Sequence, residues 1–247
     1  MVTQPTVPSF GAQREYWDER WGAKPLPNSW QLRRGAAIMS LLQELPLNRP
    51  KILDYGCGTG WFTAELASLG SAVGVDLSEF AIAEARRRYP VASFVVGNLF
   101  ELGMTENEFD VVVSQEVIAH VVDAKEYLDR ITRMLKPGGY LILTTANKTV
   151  MDRLDHPPDP DSHIKKWIGL RELRTLLAPR YRVLRRITII PRGDQGFLRI
   201  VNSSRVNAML RLIASEERLV QLKERAGWGY TLILVAQLRA QRAAKSL

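Results

Sequence analysis

Asp54, Gly56, Gly58, Gly60 and Asp76 have the types and the spacing to hold a nucleoside. The three glycines alternate with Cys57 and Thr59, a density that permits a tight turn and lets a ligand lie against bare backbone. Asp76 stands 16 residues after Gly60, where a carboxylate accepts hydrogen bonds from both hydroxyls of a ribose. Two nucleotide classes are excluded. A dinucleotide fingerprint, Gly-x-Gly-x-x-Gly, needs a glycine where Trp61 stands. A phosphate-binding loop needs a lysine after its last glycine, and none is there. A ligand with a free ribose diol and no phosphate fits the pattern that remains. A plainer reading stays open for both carboxylates. Each follows an apolar run and precedes a helix, where an Asp caps the N-terminus. Three histidines, His120, His156 and His163, can exchange a proton near neutral pH.

Positioning these residues falls to an alternation of apolar runs and amphipathic stretches. Residues 51–55, 72–75, 92–96, 110–114 and 140–145 read as strands. Helices are expected from the glycine loop through Leu69, over 78–89 and over 124–135. Gly70 stands where a C-cap glycine would, and Pro90 stops the second helix. The valine run 111–113 suits a strand buried on both faces. Lys136-Pro137-Gly138-Gly139 reads as a type II turn. This alternation means βαβ units and a mostly parallel sheet. Upstream, residues 1–29 are rich in Pro, Gly and aromatics, and 31–45 read as an amphipathic helix. Downstream, 167–178 read as a helix, 181–190 and 229–238 as strands, and 201–225 as a helical insertion. The expected fold is α/β, a doubly wound, mostly parallel seven-stranded sheet in a single domain over 1–247. It has an N-terminal helical cap at 1–46, a ligand-binding core at 51–146, and a second half at 147–247; the aromatic N-terminus and the helical insertion at 201–225 are expected to form a lid at the sheet's carboxyl edge. Acceptor-pocket insertions are expected at 147–166 and 191–226.

Composition narrows the class. Apolar side chains make up 46% of the 247 residues, enough for a sizeable core. The net charge is +8, spread over Arg33 and Arg34 and over 86–88, 165–166, 182–186 and 239–245. Aromatics are not interleaved with these clusters, so solvated helix faces are favoured over a nucleic-acid footprint. No apolar run of about 18 residues is present to span a membrane, and residues 1–10 lack the features of a secretory signal. Cys57 is the only cysteine, which excludes an intramolecular disulfide and makes a reducing cytoplasm the expected location.

Ile52-Leu53-Asp54-Tyr55-Gly56-Cys57-Gly58-Thr59-Gly60 resembles motif I of the class I methyltransferases that use S-adenosylmethionine (SAM). Val73-Gly74-Val75-Asp76-Leu77-Ser78 is similar to the family's ribose-binding strand end. The stretch 109–121, with Gln115-Glu116-Val117-Ile118-Ala119-His120, is similar to its fourth strand and methionine loop. Leu135-Lys136-Pro137-Gly138-Gly139-Tyr140 is similar to the turn before its fifth strand. The similarity covers 51–146 well and 167–238 loosely. It implies SAM as cofactor, S-adenosylhomocysteine (SAH) as product, and methyl transfer to an acceptor.

The same resemblance implies residue roles. Gly56, Cys57, Gly58 and Gly60 would pass beneath the methionine and ribose. Asp54 would organise that loop and help toward the ammonium. Asp76 would hold the ribose and Leu77 would pack on the adenine. Asn98 and Leu99 occupy the adenine-edge position, where Asp is common in the family; Asn98 can still accept from the adenine amino group. Gln115 would offer its backbone carbonyl to the ammonium. Leu32-Arg33-Arg34-Gly35 resembles a helix that, in relatives acting on quinones and other small molecules, sends an Arg to the SAM carboxylate. Arg34 is that residue here, by bidentate pairing; a solvent-facing arginine pair is the alternative.

The methyl of SAM sits on a sulfonium, so aligning acceptor, methyl and sulfur supplies most of the acceleration. A hydroxyl acceptor also needs a base. His120, just after the fourth strand, and His163, in the loop after the fifth, are the candidates; His156 beside Pro157-Pro158 is less suited. Asp152, Asp155, His156, Asp159, Asp161 and His163 match no metal motif and read as a solvated loop, so no metal is expected. The expected acceptor is a small-molecule hydroxyl, by analogy with relatives. RNA or protein methylation, non-catalytic SAM binding and a membrane-surface enzyme acting through arginine-rich faces are the alternatives. Against RNA bases, no Asn-Pro-Pro-Tyr follows the fourth strand.

Overall fold

Burial on both faces gathers seven strands into one sheet. The computed structural model describes residues 7–98, 100–103, 105–154 and 163–240. The core begins with β1 (Lys51–Tyr55), α3 (Trp61–Leu66), β2 (Ser71–Asp76), α4 (Glu79–Arg88) and β3 (Ser93–Val96), preceded by α1 (Phe10–Ala23) and α2 (Ser29–Gln43). It continues through β4 (Phe109–Gln115), a 3-10 turn (Ile118–His120), α5 (Ala124–Met134) and β5 (Leu135–Ala146). The second half holds α6 (Lys148–Met151), α7 (Leu170–Leu177), β6 (Tyr181–Pro191), α8 (Gly196–Val201), α9 (Ser204–Leu210), α10 (Glu216–Arg225) and β7 (Gly229–Leu238).

The strand order is β3-β2-β1-β4-β5-β7-β6. Pairings from β3 to β5 are parallel, and β7 runs antiparallel between β5 and β6. Side chains alternate across the sheet as the pleat requires. Leu53, Tyr55, Phe109 and Val112 enter one core with α5 and α7. Ile52, Val111 and Val113 enter the other with α2 and α3. The valine run is thus buried on both faces, as expected.

Several expectations need correction. The turn at Lys136–Gly139 lies inside β5 and not before it: Leu135 pairs with Phe109, the chain turns, and Val111 pairs with Tyr140. Gly138 (φ +81°) takes up the irregularity. The helix after the glycine loop ends at Leu66, short of Leu69. Gly70 is not its C-cap; a Cβ there would stand 2.1 Å from the Pro50 carbonyl oxygen, so close backbone approach is what demands glycine. The single insertion helix is three, broken at Asn202 and at 211–215. Within the expected N-terminal cap, α1 forms with Ser9 as N-cap, its Oγ accepting from the Ala12 N–H at 3.2 Å.

Candidate active site

The carboxyl ends of β1, β2 and β4 open on one cavity of about 670 Å³. It lies where the strand order reverses, between β1 and β4, the place where open α/β sheets hold ligands. Arg34, Gly56, Cys57, Asp76, Leu77, Asn98 and Gln115 line it, as do His120 and His163. Asp54, Gly58 and Gly60 stand behind the lining. Leu99 and His156 lie outside the described residues, as do residues 155–162 of the mixed acidic loop.

The glycine loop fits only glycine. Gly56 (φ +77°) and Gly58 (φ +53°) take left-handed backbone. A Cβ on Gly56 would stand 2.2 Å from Val117 Cγ2, and one on Gly58 2.5 Å from Trp21 Cζ2. Asp76 ties this loop to β2. Its Oδ2 accepts from the Gly58 N–H at 2.8 Å and its Oδ1 from the Ser78 N–H at 3.0 Å. The helix caps are other residues: Gly60 precedes α3, and Ser78 caps α4 with its Oγ on the Ala81 N–H. Helix capping therefore does not account for Asp54 or Asp76.

Asp54 is buried and takes one hydrogen bond from Thr63 Oγ1 at 2.7 Å. Burial pushes its carboxyl up to about 7, with Thr63 and the Arg34 charge acting the other way. Burial also raises Asp76, against its backbone N–H partners. The Cys57 thiol is raised by burial and by both carboxylates, which keeps it protonated and unreactive.

Arg34 reaches the cavity because Gly35 lets α2 sit low. A Cβ on Gly35 would stand 2.4 Å from Trp61 Cη2. Arg34 Nε donates to Gln115 Oε1 at 2.9 Å, and its Nη1 lies 3.5 Å from Glu116 Oε1. Its side chain is only 14% exposed, so the solvent-facing alternative does not hold. Glu116 adopts φ +61°, a conformation that non-glycine residues take where a site requires it. Thr144 Oγ1 donates to its carboxylate at 2.9 Å.

α1 roofs the cavity. Asp18 accepts from Ser78 Oγ at 2.5 Å and from the Phe80 N–H at 3.1 Å, and Arg14 pairs with Glu79 at 2.8 Å. Thr59 Oγ1 donates to the Pro25 carbonyl at 2.8 Å. Tyr16 stacks on His163 at 4.1 Å between ring centroids, and Trp17 meets His120 edge-on at 5.1 Å. The two imidazoles are 4.5 Å apart. His120 Nδ1 donates to the Ile164 carbonyl at 2.8 Å, which places the neutral ring's lone pair on Nε2. Trp30 and Tyr230 close another wall, 5.3 Å apart. Sequence reasoning expected a lid from the aromatic-rich N-terminal segment but did not assign Glu116 or Tyr230 to the site. Three aromatics within six residues of a polar N-terminal segment were the available signal for the roof.

Residues 53–143 match the family model described as a methyltransferase domain. This stretch, which holds β1 to β5, is a methyltransferase domain. Among curated relatives, the mitochondrial ubiquinone biosynthesis O-methyltransferase of Homo sapiens is 36% identical over 151 residues, 55% of this chain and 41% of the relative. The ubiquinone biosynthesis O-methyltransferase of Roseobacter denitrificans is 29% identical over 201 residues, 74% of this chain and 81% of the relative. The chain spans about half the length of the first curated relatives it matches, from 40% to 60%. Phosphoethanolamine N-methyltransferase 1 of Haemonchus contortus, solved with phosphoethanolamine and SAH, shares the fold. Its TM-score is 0.65 at 17% identity, over 96% of this chain and 51% of that one.

SAM is the cofactor of this methyltransferase domain, and the residues present fit it. Among the described residues four buried polar atoms have no partner, and two of them, Asp54 Oδ1 and Asn98 Nδ2, belong to the candidate site. Such atoms call for a ligand or an ordered water. An anionic oxygen suits an ammonium. Asn98 Oδ1 already accepts from the Phe100 N–H at 3.1 Å, so its orphan is a donor. That suits an adenine ring nitrogen, where the sequence had suggested acceptance from the amino group. Among the described residues no cluster of His, Cys, Asp and Glu could hold a metal ion, and no helix is long and apolar enough to cross a membrane.

Proposed function

We propose that this chain transfers the SAM methyl to a hydroxyl of a small molecule and releases SAH. The observation that carries this reading is the roof: α1 and the His120–His163 aromatic cluster close the space beside the cofactor loop. A partly open, aromatic-lined cavity of about 670 Å³ has the dimensions of a small-molecule site. The curated relatives named as ubiquinone biosynthesis O-methyltransferases support hydroxyl acceptors of this size. SAM supplies an activated methyl when bound. Around it, Asp76 takes the ribose hydroxyls, Leu77 covers the adenine, and Arg34 pairs with the carboxylate. Asp54 and the Gln115 carbonyl face the ammonium side.

The acceptor oxygen bonds to the methyl carbon as the carbon–sulfur bond breaks, and the hydroxyl proton passes to a histidine. His120 is the proposed base because the Ile164 carbonyl fixes its tautomer with the lone pair on Nε2. His163, stacked on Tyr16, holds the roof against it and is the second candidate. A cytoplasmic location fits a chain with a single cysteine, Cys57, and therefore no intramolecular disulfide.

Transfer of labelled methyl from SAM into a cell extract, split by size with and without ribonuclease and protease, tests this reading. Label in the small-molecule fraction, insensitive to both enzymes, is the expected result. Label in the large fraction released by nuclease or protease would replace it with RNA or protein methylation. Saturable SAM binding with no label in any fraction would replace it with a non-catalytic SAM-binding role.

A further inference from the structure

Two periodicities bring Arg34 and Gln115 together. On a strand, alternate side chains share a face. Val111 and Val113 of β4 enter the core that α2 covers, so Gln115, two positions on, carries a polar end to the same row. Ser114 points the other way and meets Tyr127 of α5. On α2, Arg34 stands one turn before Ile38, which is buried in that same core. Strand parity and a helical turn thus set a guanidinium against an amide, and both residues line the cavity. Arg34 Nε donates to Gln115 Oε1 at 2.9 Å, across 81 positions of sequence.

The way Arg34 is held decides what it can bind. A guanidinium presents its N–H donors in a rigid fork. Among the described residues only Nε is hydrogen-bonded, and the Nη protons have no acceptor. Glu116 Oε1 stands 3.5 Å from Nη1 and is itself held by Thr144 Oγ1 at 2.9 Å. It supplies counter-charge without taking up the Nη edge. An arginine pairs with a carboxylate through two parallel N–H bonds, which requires the fork at one angle. A long side chain pays rotamer entropy to be fixed at that angle, so a partner that fixes it before the ligand arrives raises affinity. We infer that the Gln115 side chain is a positioning residue for the cofactor: it holds Arg34 by Nε and leaves the Nη edge for the carboxylate of SAM. The inference rests on the assignment of Arg34 to that carboxylate and adds a second residue that acts through Arg34. The Gln115 backbone carbonyl keeps its separate place on the ammonium side.

Equilibrium binding of SAH and of methylthioadenosine, which lacks the amino-acid part, tests the inference in the full chain. Arg34→Gln should weaken SAH about ten- to one-hundred-fold, the range for hydrogen bonds to a charged group, and leave methylthioadenosine unchanged. Gln115→Ala should weaken SAH about three- to ten-fold, again with methylthioadenosine unchanged. In the double variant the SAH loss should equal that of Arg34→Gln alone, because Gln115 then has nothing to position. Methylthioadenosine binding and a melting curve report that each variant is folded. Additive losses in the double variant, or equal losses for both ligands in Gln115→Ala, would make Gln115 a structural residue and overturn the inference. Wild-type SAH affinity in Gln115→Ala, with Arg34→Gln weakened, would also overturn it while leaving Arg34 on the carboxylate. Wild-type SAH affinity in Arg34→Gln would overturn both assignments.

Discussion

Asp54 illustrates how one buried atom links folding to ligand. Its carboxyl is raised to about 7 chiefly by burial. A raised acid favours the folded state while protonated, and that contribution is lost as pH rises through the folded value. A SAM ammonium favours the ionised form. Proton and ammonium therefore compete, and SAM affinity is expected to fall about ten-fold per pH unit below about 7. Calorimetry across that range, in buffers of differing ionisation heat, would show proton release on binding. Asp54→Asn should flatten the profile, weaken SAM, and raise the melting temperature of the ligand-free protein above pH 7. A steep profile surviving in that variant would remove Asp54 from the linkage. His120 makes a separate prediction. His120→Gln should lower kcat by about 10²- to 10⁴-fold, the range for a general base, with SAM affinity unchanged. A drop in SAM affinity with kcat intact would make it a roof residue only.

Elements matter here mainly through how closely they approach. α2 delivers Arg34 because Gly35 has no Cβ to meet Trp61. Gly35→Ala should push α2 outward and weaken SAM binding. Adding Trp61→Phe, which removes the atoms met, should restore much of the loss; no recovery would mean that helix propensity or folding is at fault. α1 buries none of its residues and is held by polar contacts and aromatic edges. Such an element opens locally at low cost. Amide exchange over residues 10–23 is expected to be fast in the free protein and slowed by SAH, as a roof over the cofactor requires. Equal exchange with and without SAH would detach α1 from the site.

Taken as a whole molecule, the sheet and the glycine loop at its carboxyl edge were legible in the sequence because each rests on local chemistry. Strand periodicity, the glycine loop and the carboxylate at the end of β2 need no knowledge of distant partners. The roof was legible as an aromatic N-terminal lid, but neither its helix nor its partners were. α1 has no apolar stripe to signal a helix, and its aromatics find His120 and His163 from far along the chain. Glu116 escaped because its role comes from a backbone turn and from Arg34, 82 positions earlier. The broken insertion and the bulged β5 follow from tertiary packing that overrides local pattern. In the proposed site Asp76, whose carboxylate accepts from the Gly58 N–H of the glycine loop, takes the ribose. Titration of SAM into the wild-type chain and into Asp76→Ala examines it directly. Saturable binding, displaced by SAH and weakened about ten- to one-hundred-fold in a folded Asp76→Ala variant, is the expected result. No binding to the wild type, or equal affinity in the variant, would contradict the SAM site described.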